Sequence, residues 1–292
     1  MNRMTSAALA AAMTAAAAGS AAAQQDFHWS GRLAAGQTIE IRNIKGEIRA
    51  EPAGGDEVTV TARRTGGRAD RVRVEMVRRA NGVVVCAIYP PRDDDDDDGG
   101  RGGWRHRDGG DDEPRDACNS GRGMNVRDGD ADVDFVVRVP AGVKFAAKSV
   151  SGDVEVNALR GPVDAASVSG DVHVSSTAEV RANSVSGNVF AALGRIPSNG
   201  LSFHSVSGDV TLELPSGTDA DFSARTISGE IDSDFPLTIE GRGRRGDDDD
   251  DDRGWPRVRV HVGHDMHARL GRGGPGLNVT TVSGDINLRR AR

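Results

Sequence analysis

Few residues in this 292-residue chain sit where chemistry could concentrate. The densest set is His261-Val-Gly-His264-Asp265-Met-His267. Imidazole nitrogens with a nearby carboxylate are a donor set that Zn²⁺ takes, which makes His261, His264, Asp265 and His267 the metal candidates. The alternation before Gly263 predicts a strand that runs into a turn. On a strand, His261 and His264 point to opposite faces. Exposed turn histidines are therefore expected, unless a bend at Gly263 gathers them.

A second set is periodic. Asp153, Asp171, Asn188, Asp209, Glu230 and Asp285 each follow a glycine, at Gly152, Gly170, Gly187, Gly208, Gly229 and Gly284. If these units stack, equivalent side chains lie about 4.8 Å apart. Like charges at that spacing oppose each other unless they are solvated or bridged. Carboxylate oxygens from neighbouring units could hold Ca²⁺. Alternatively, the side chains accept backbone N–H bonds and close the turn. The Gly-Gly-x-Gly-x-Asp nonapeptide of calcium-binding β-rolls is absent. Turn closure is the expected role, and no cofactor is assigned, with Ca²⁺ the one ion left open.

Catalysis finds little support. The serines sit in the repeated turn, where many copies argue for structure rather than for one nucleophile. No Gly-x-Ser-x-Gly elbow occurs, and no His is placed as its partner. A non-enzyme is expected. The alternative is an extracytoplasmic polysaccharide lyase or hydrolase that gathers acids across repeats.

The elements that carry these residues are set by an internal repeat. Ser149-Val-Ser-Gly-Asp-Val154 returns as Ser167-Val-Ser-Gly-Asp-Val172, Ser184-Val-Ser-Gly-Asn-Val189 and Ser205-Val-Ser-Gly-Asp-Val210. Diverged copies are Thr226-Ile-Ser-Gly-Glu-Ile231, Thr281-Val-Ser-Gly-Asp-Ile286 and the early Asn43-Ile-Lys-Gly-Glu-Ile48. From Gly152 the spacings are 18, 17, 21, 21 and 55. Without the insertion at 241–254, the last gap is close to two units. One unit has then lost its signature, around Arg257-Val-Arg-Val-His-Val262.

Polar and apolar residues alternate inside each unit, so Val210, Leu212 and Leu214 share one face. Glycine breaks the alternation and permits a bend. A unit of ~20 residues cannot bury its own apolar face, and stacking neighbours would bury a continuous ribbon. The predicted fold is all-β: parallel β-helix or β-solenoid-like repeats, with antiparallel hairpins in the N-terminal third. There, Asn81-Gly82 predicts a hairpin joining Arg71–Val77 to Val83–Tyr89.

These repeats resemble the exported β-strand-repeat family labelled putative adhesin, a domain of unknown function. The carrying residues are the copies at 149, 167, 184 and 205, with the opening copy at 43 and the last at 281. The resemblance spans Gln37 to Leu288 without the two acidic insertions. It implies a parallel β-helix-like fold and supplies no catalytic residues.

Charge and compartment complete the expectation. The formal charge is −7, but Asp93–Asp98 and Asp247–Asp252 hold twelve of the 44 acids. The remainder is mildly basic. No basic stripe interleaved with aromatics appears, so nucleic acid is not an expected partner. Both acidic runs sit in Gly- and Arg-rich insertions, 92–130 and 241–254, which are expected to be solvated loops. Trp104 and Trp255 flank them as candidate carbohydrate or partner anchors.

Residues 1–23 read as a signal peptide: Arg3, an Ala-rich stretch over Ser6–Ala18, then Ala21-Ala22-Ala23. Residues 24–292 are expected to form one β-repeat domain without a transmembrane anchor, exported to the periplasm or beyond. Two cysteines in an exported chain predict a Cys86–Cys118 disulfide. The expected role is a non-catalytic cell-envelope scaffold or adhesion-like binding protein, monomeric or weakly self-associating. Its expected partner is an envelope glycan or protein. A Ca²⁺-dependent envelope protein is a further alternative.

Overall fold

The computed structural model describes residues 26–89, 118, 131–239, 258–260 and 264–291. The expected signal peptide and both acidic insertions, apart from Cys118, lie outside the described residues, as do Trp104 and Trp255. The first strands are β1 (Phe27–Arg32), β2 (Thr38–Arg42), β3 (Ile48–Pro52), β4 (Glu57–Gly66), β5 (Arg73–Arg79), β6 (Gly82–Ile88) and β7 (Ala131–Val139). The middle of the chain forms β8 (Lys144–Ser149), β9 (Val154–Leu159), β10 (Val163–Ser167), β11 (Val172–Ser176), β12 (Val180–Ser186), β13 (Val189–Leu193), β14 (Leu201–Ser207) and β15 (Val210–Leu214). The last strands are β16 (Ala220–Thr226), β17 (Ile231–Ser233), β18 (Leu237–Ile239), β19 (Val258–Val260), β20 (His264–Leu270), β21 (Gly276–Thr280) and β22 (Ile286–Arg290). One 3-10 turn at Ala69–Arg71 interrupts them.

The strands form two eleven-stranded sheets. Sheet I runs β1-β4-β7-β3-β9-β11-β13-β15-β22-β17-β19, and sheet II runs β18-β20-β16-β21-β14-β12-β10-β8-β2-β6-β5. Each repeat lays one strand in sheet II, turns at the Ser-Gly-Asp corner and lays the next in sheet I. Rung neighbours pair in parallel, as in Val163↔Val180 and Val172↔Val189. This is the β-solenoid-like architecture that the alternation implies. Inward Val, Ile and Leu from both sheets form one buried core, and Val210, Leu212 and Leu214 are all fully enclosed. Four rings, Phe135, Phe145, Phe203 and Phe222, are the largest fully buried side chains in it.

Chain order and spatial order part company at the C-terminal end. β22 pairs in parallel with β15 on one side and β17 on the other. β21 lies in the same way between β14 and β16. The last repeat is thus inserted between the two repeats that precede it in sequence. The degenerate rung expected near Arg257–Val262 is not a parallel rung. Its described part, β19, runs antiparallel against β17.

Antiparallel pairing closes both ends rather than the N-terminal third alone. At one end β1 pairs with β4, β4 with β7 and β5 with β6. At the other, β20 pairs with β16 and β18 with β20. The N-terminal third also holds parallel rungs, since β2 pairs in parallel with β6 and β8, and β3 with β7 and β9. A parallel stack leaves a full row of unpaired backbone groups at each end, and antiparallel strands cover it. The three-residue strands β18 and β19 leave short edges.

The predicted hairpin is present, with Arg79 opposite Gly82 and Gly82 at φ 146°. Cys86 and Cys118 are joined in a disulfide, with Cα atoms 5.7 Å apart. Arg42, which lies opposite Cys86, donates to the Cys118 carbonyl at 2.9 Å. The inserted segment is therefore tied to sheet II at this point.

Candidate binding surface

The corner is built for stacking. In five copies the first Ser or Thr is buried and its hydroxyl donates to the glycine carbonyl of the adjacent rung. Ser167 reaches Gly152 at 2.9 Å, Ser184 reaches Gly170 at 3.0 Å and Ser205 reaches Gly187 at 3.1 Å. Across the inserted repeat, Thr281 reaches Gly208 and Thr226 reaches Gly284, both at 3.2 Å. From Gly152 onward, each motif glycine lies so close to the carbonyl of the motif glycine in the adjacent rung that a Cβ would collide with that oxygen. This close approach, rather than a special φ, is what requires glycine.

The acidic column takes part in the same ladder. One carboxylate or amide oxygen accepts the backbone N–H of the equivalent residue in the next rung. Asp153 serves Asp171 at 2.8 Å, Asp171 serves Asn188 at 2.7 Å and Asn188 serves Asp209 at 3.0 Å. Asp209 then serves Asp285, and Asp285 serves Glu230, both at 2.8 Å. These side chains bond the neighbouring rung rather than their own turn.

The opening copy departs from the pattern. Asn43 replaces the serine, and its amide donates to the carbonyls of Lys45, Gly46 and Val133. The Gly46 carbonyl is thereby occupied, and the buried Ser149 hydroxyl above it has no partner. The middle residue of the motif points outward, so the surface is not simply Ser, Thr, Asp and Arg. Val168, Val185, Val282 and Ile227 are exposed, Ile227 to 69%. The reason is the strand's alternation: with the first Ser turned inward, the residue after it must face solvent.

The histidine cluster does not assemble within the described residues. His261 lies outside them, and His264 is the first residue of β20. Asp265 and His267 share the outer face of that strand. Asp265 is gripped by Arg225 from β16 through two hydrogen bonds, one of them from Nη2 at 2.6 Å. Among the described residues, no group of three or more His, Cys, Asp or Glu side chains is placed to hold a metal ion.

The outer face of sheet I offers a different arrangement. A shallow open hollow of about 400 Å³ is lined by Glu47, Glu155, Asn157, His173, Ser175 and Phe190, among others. Its polar and aromatic groups come from one column of the sheet. Glu155 pairs in register with His173, and His173 with Phe190. The two rings stand 5.8 Å apart between centroids, tilted by 36°. Ser175, two residues on from His173, is small and leaves the space beside them open.

Charges surround this hollow in a fixed pattern. Arg49 bridges Glu47 at 2.8 Å and Glu155 at 2.9 Å. Asn157 donates to Glu155 at 2.8 Å. That amide bond first, and then the charge of Arg49, hold the Glu155 carboxyl below the usual range. Beside Asn157 the strand bulges. Val156 and Leu159 are paired with Val174 and Ser176, so β9 carries one residue more than β11. Ala158 in the bulge has φ 48°, and it is the one non-glycine residue of positive φ among the described residues. Bulges of this kind re-aim side chains and bend the strand locally.

Sequence reasoning did not single out Glu155, His173 or Phe190. The available signal was the middle position of Val154-Glu-Val156, Val172-His-Val174 and Val189-Phe-Ala191. It faces outward in every unit and carries a different residue in each.

With the geometry in place, comparison with known proteins is informative about the repeats. Residues 144–265 match the Toastrack DUF4097 family. The Toastrack match begins at β8 and ends within β20, so it contains most of the corner ladder and the hollow's lining apart from Glu47. It agrees with the resemblance that the repeated motifs carry. Among solved structures, the chain is similar to a putative cell adhesion protein from Clostridium sporogenes ATCC 15579. The two are 9% identical, the match covers 91% of this chain and 100% of the other, and the TM-score is 0.42. It is also similar to a putative adhesin from Bacteroides fragilis NCTC 9343, at 10% identity. That match covers 92% of this chain and 98% of the other, with a TM-score of 0.22. No curated protein matches the chain. Among the described residues, no helix is long and apolar enough to cross a membrane.

Proposed function

We propose that this protein is a non-catalytic, exported cell-envelope scaffold with an adhesion-like binding surface. The observation that supports it is a division of labour within each rung. The corner residues repeat and are consumed by rung-to-rung bonds. The outward positions of sheet I differ in every rung: Arg49, Glu155, His173, Phe190, Thr211 and Asn287. A stack held rigid by its corner can present such a face without reorganising, which reduces the entropic cost of binding. Several weak contacts along one rigid face add up through effective concentration.

The test uses the chain from Gln24 onward, immobilised and exposed to native envelope extract across a salt series. Bound glycan is sized. Retention of intact polymer or of a defined protein is the expected result. Shortened glycan would replace this reading with an enzyme, and no retention at any salt would remove the binding role.

A further inference from the structure

We infer that the hollow on the outer face of sheet I is a saccharide subsite that takes an amino-bearing pyranose, a hexosamine unit of a longer glycan. The inference rests on the binding-surface reading above and gives it a location and a ligand class.

Three observations carry it. First, the hollow has an aromatic wall. Phe190 and His173 are adjacent on neighbouring parallel strands, 5.8 Å apart, on the solvent side of the sheet. A pyranose ring presents a face of C–H groups that is apolar and slightly positive, which suits the negative face of an aromatic ring. Both residues sit on strands paired on either side, so their backbone needs no ordering on binding.

Second, the polar groups beside that wall are rich in acceptors. Glu47, Glu155 and Asp153 supply three carboxylates, and Asn157 and Ser175 add an amide and a hydroxyl. Sugar hydroxyls and an ammonium group are donors, and carboxylates are their strongest acceptors. Arg49 is the cation that bridges this set, already bonded to both glutamates. The excess of carboxylates favours a cationic or neutral sugar and opposes a uronic acid, whose carboxylate would meet like charge.

Third, the backbone is strained at this place. Ala158, at φ 48°, sits in the bulge next to Asn157. A non-glycine residue in that region is strained and persists where the surroundings demand it. Val156 and Asn157, immediately before the bulge residue, line the hollow.

The test is calorimetric titration of the mature chain at physiological salt with a glucosamine tetramer. Cellotetraose serves as the uncharged counterpart and tetragalacturonic acid as the anionic one. The glucosamine tetramer is expected to bind, cellotetraose to bind more weakly and tetragalacturonic acid not at all. Phe190→Ala removes the wall and Ser175→Leu fills the space beside it. Each should weaken the glucosamine tetramer by about tenfold or more. Both positions face solvent, and an unchanged melting temperature shows that the variants fold.

No binding of the glucosamine tetramer overturns the inference. So does binding that neither substitution weakens, which would reflect attraction to the two aspartate runs alone. Equal binding of cellotetraose or of tetragalacturonic acid overturns the amine specificity. Envelope material retained equally by the wild type and by Phe190→Ala would remove this site while the binding-surface reading stands. Tetramer binding without envelope retention would do the reverse.

Discussion

The corner and the outer face of sheet I occupy the same rungs and obey opposite rules. At the corner, every copy after the opening one carries Ser or Thr, then a glycine, then an acid or amide. From Ser167 onward the hydroxyl bonds the adjacent rung, and the acids and amide from Asp153 to Asp285 do the same. On the outer face, the residue three places beyond each motif glycine is Arg, Glu, His, Phe, Thr, Asn or Asp. Repetition in a stacked protein therefore marks the contacts that every rung must make with its neighbour. Divergence marks positions that stacking leaves free, and a site can be built there.

This contrast breaks most sharply at the glycines. Gly284→Ala places a Cβ against the Gly208 carbonyl, inside the inserted rung that holds the C-terminal end together. A cost of about 3 kcal/mol or more is expected, since neither backbone can move without opening the ladder. Gly54→Ala meets nothing within 4 Å and should stay within about 0.5 kcal/mol of the wild type. Urea titration of both variants checks the pair. Equal midpoints would mean that the corner is not the stacking contact described above.

The hydroxyl column sharpens it further. Ser205→Ala removes a buried donor and leaves the Gly187 carbonyl without it, at a cost of about 1–2 kcal/mol. Ser149→Ala removes a hydroxyl that has no partner and should be neutral or slightly stabilising. Thermal melting of the two variants decides it, and a larger loss at Ser149 would contradict the opening copy's replacement of serine by Asn43.

The smallest effect belongs to an outer-face ion cluster on sheet II. Burial raises the Glu40 carboxyl, but hydrogen bonds from Arg42 at 2.8 Å and from Lys148 at 3.1 Å outweigh it. The net pKa is below the ordinary value. The stability this adds is therefore present above the unfolded glutamate pKa near 4.3 and lost as pH falls through the folded value. Glu40→Gln should melt lower than the wild type at neutral pH, by less than about 1 kcal/mol. The difference should vanish in acid. A difference independent of pH would show that packing, not charge, is responsible.

Much of this fold was legible because it is local. Alternation over five residues places Val210, Leu212 and Leu214 inside, and the glycine marks the corner. The Cys86–Cys118 disulfide matches the pairing expected of two cysteines in a chain read as exported. Other features were illegible for a stated physical reason. The outward Val and Ile of the motif look like core residues by type, but the alternation that turns the preceding Ser or Thr inward turns them to solvent. The hollow depends on Glu155, His173 and Phe190 becoming neighbours, and they are separated by 17 or 18 residues in sequence.

The amino-acid sequence by itself determined the rung: its two strands, its corner and the chemistry by which one corner fits the next. The order of the rungs belongs to the tertiary structure. Because every corner after the opening one presents the same glycine carbonyl, hydroxyl and acidic or amide acceptor, any of these copies can stack on another. The choice between neighbours passes to what lies outside the motif. β20 and β19 return antiparallel against β16 and β17 and cover their far side. The last repeat then has its place on the near side, between β15 and β17, where both of its edges are paired.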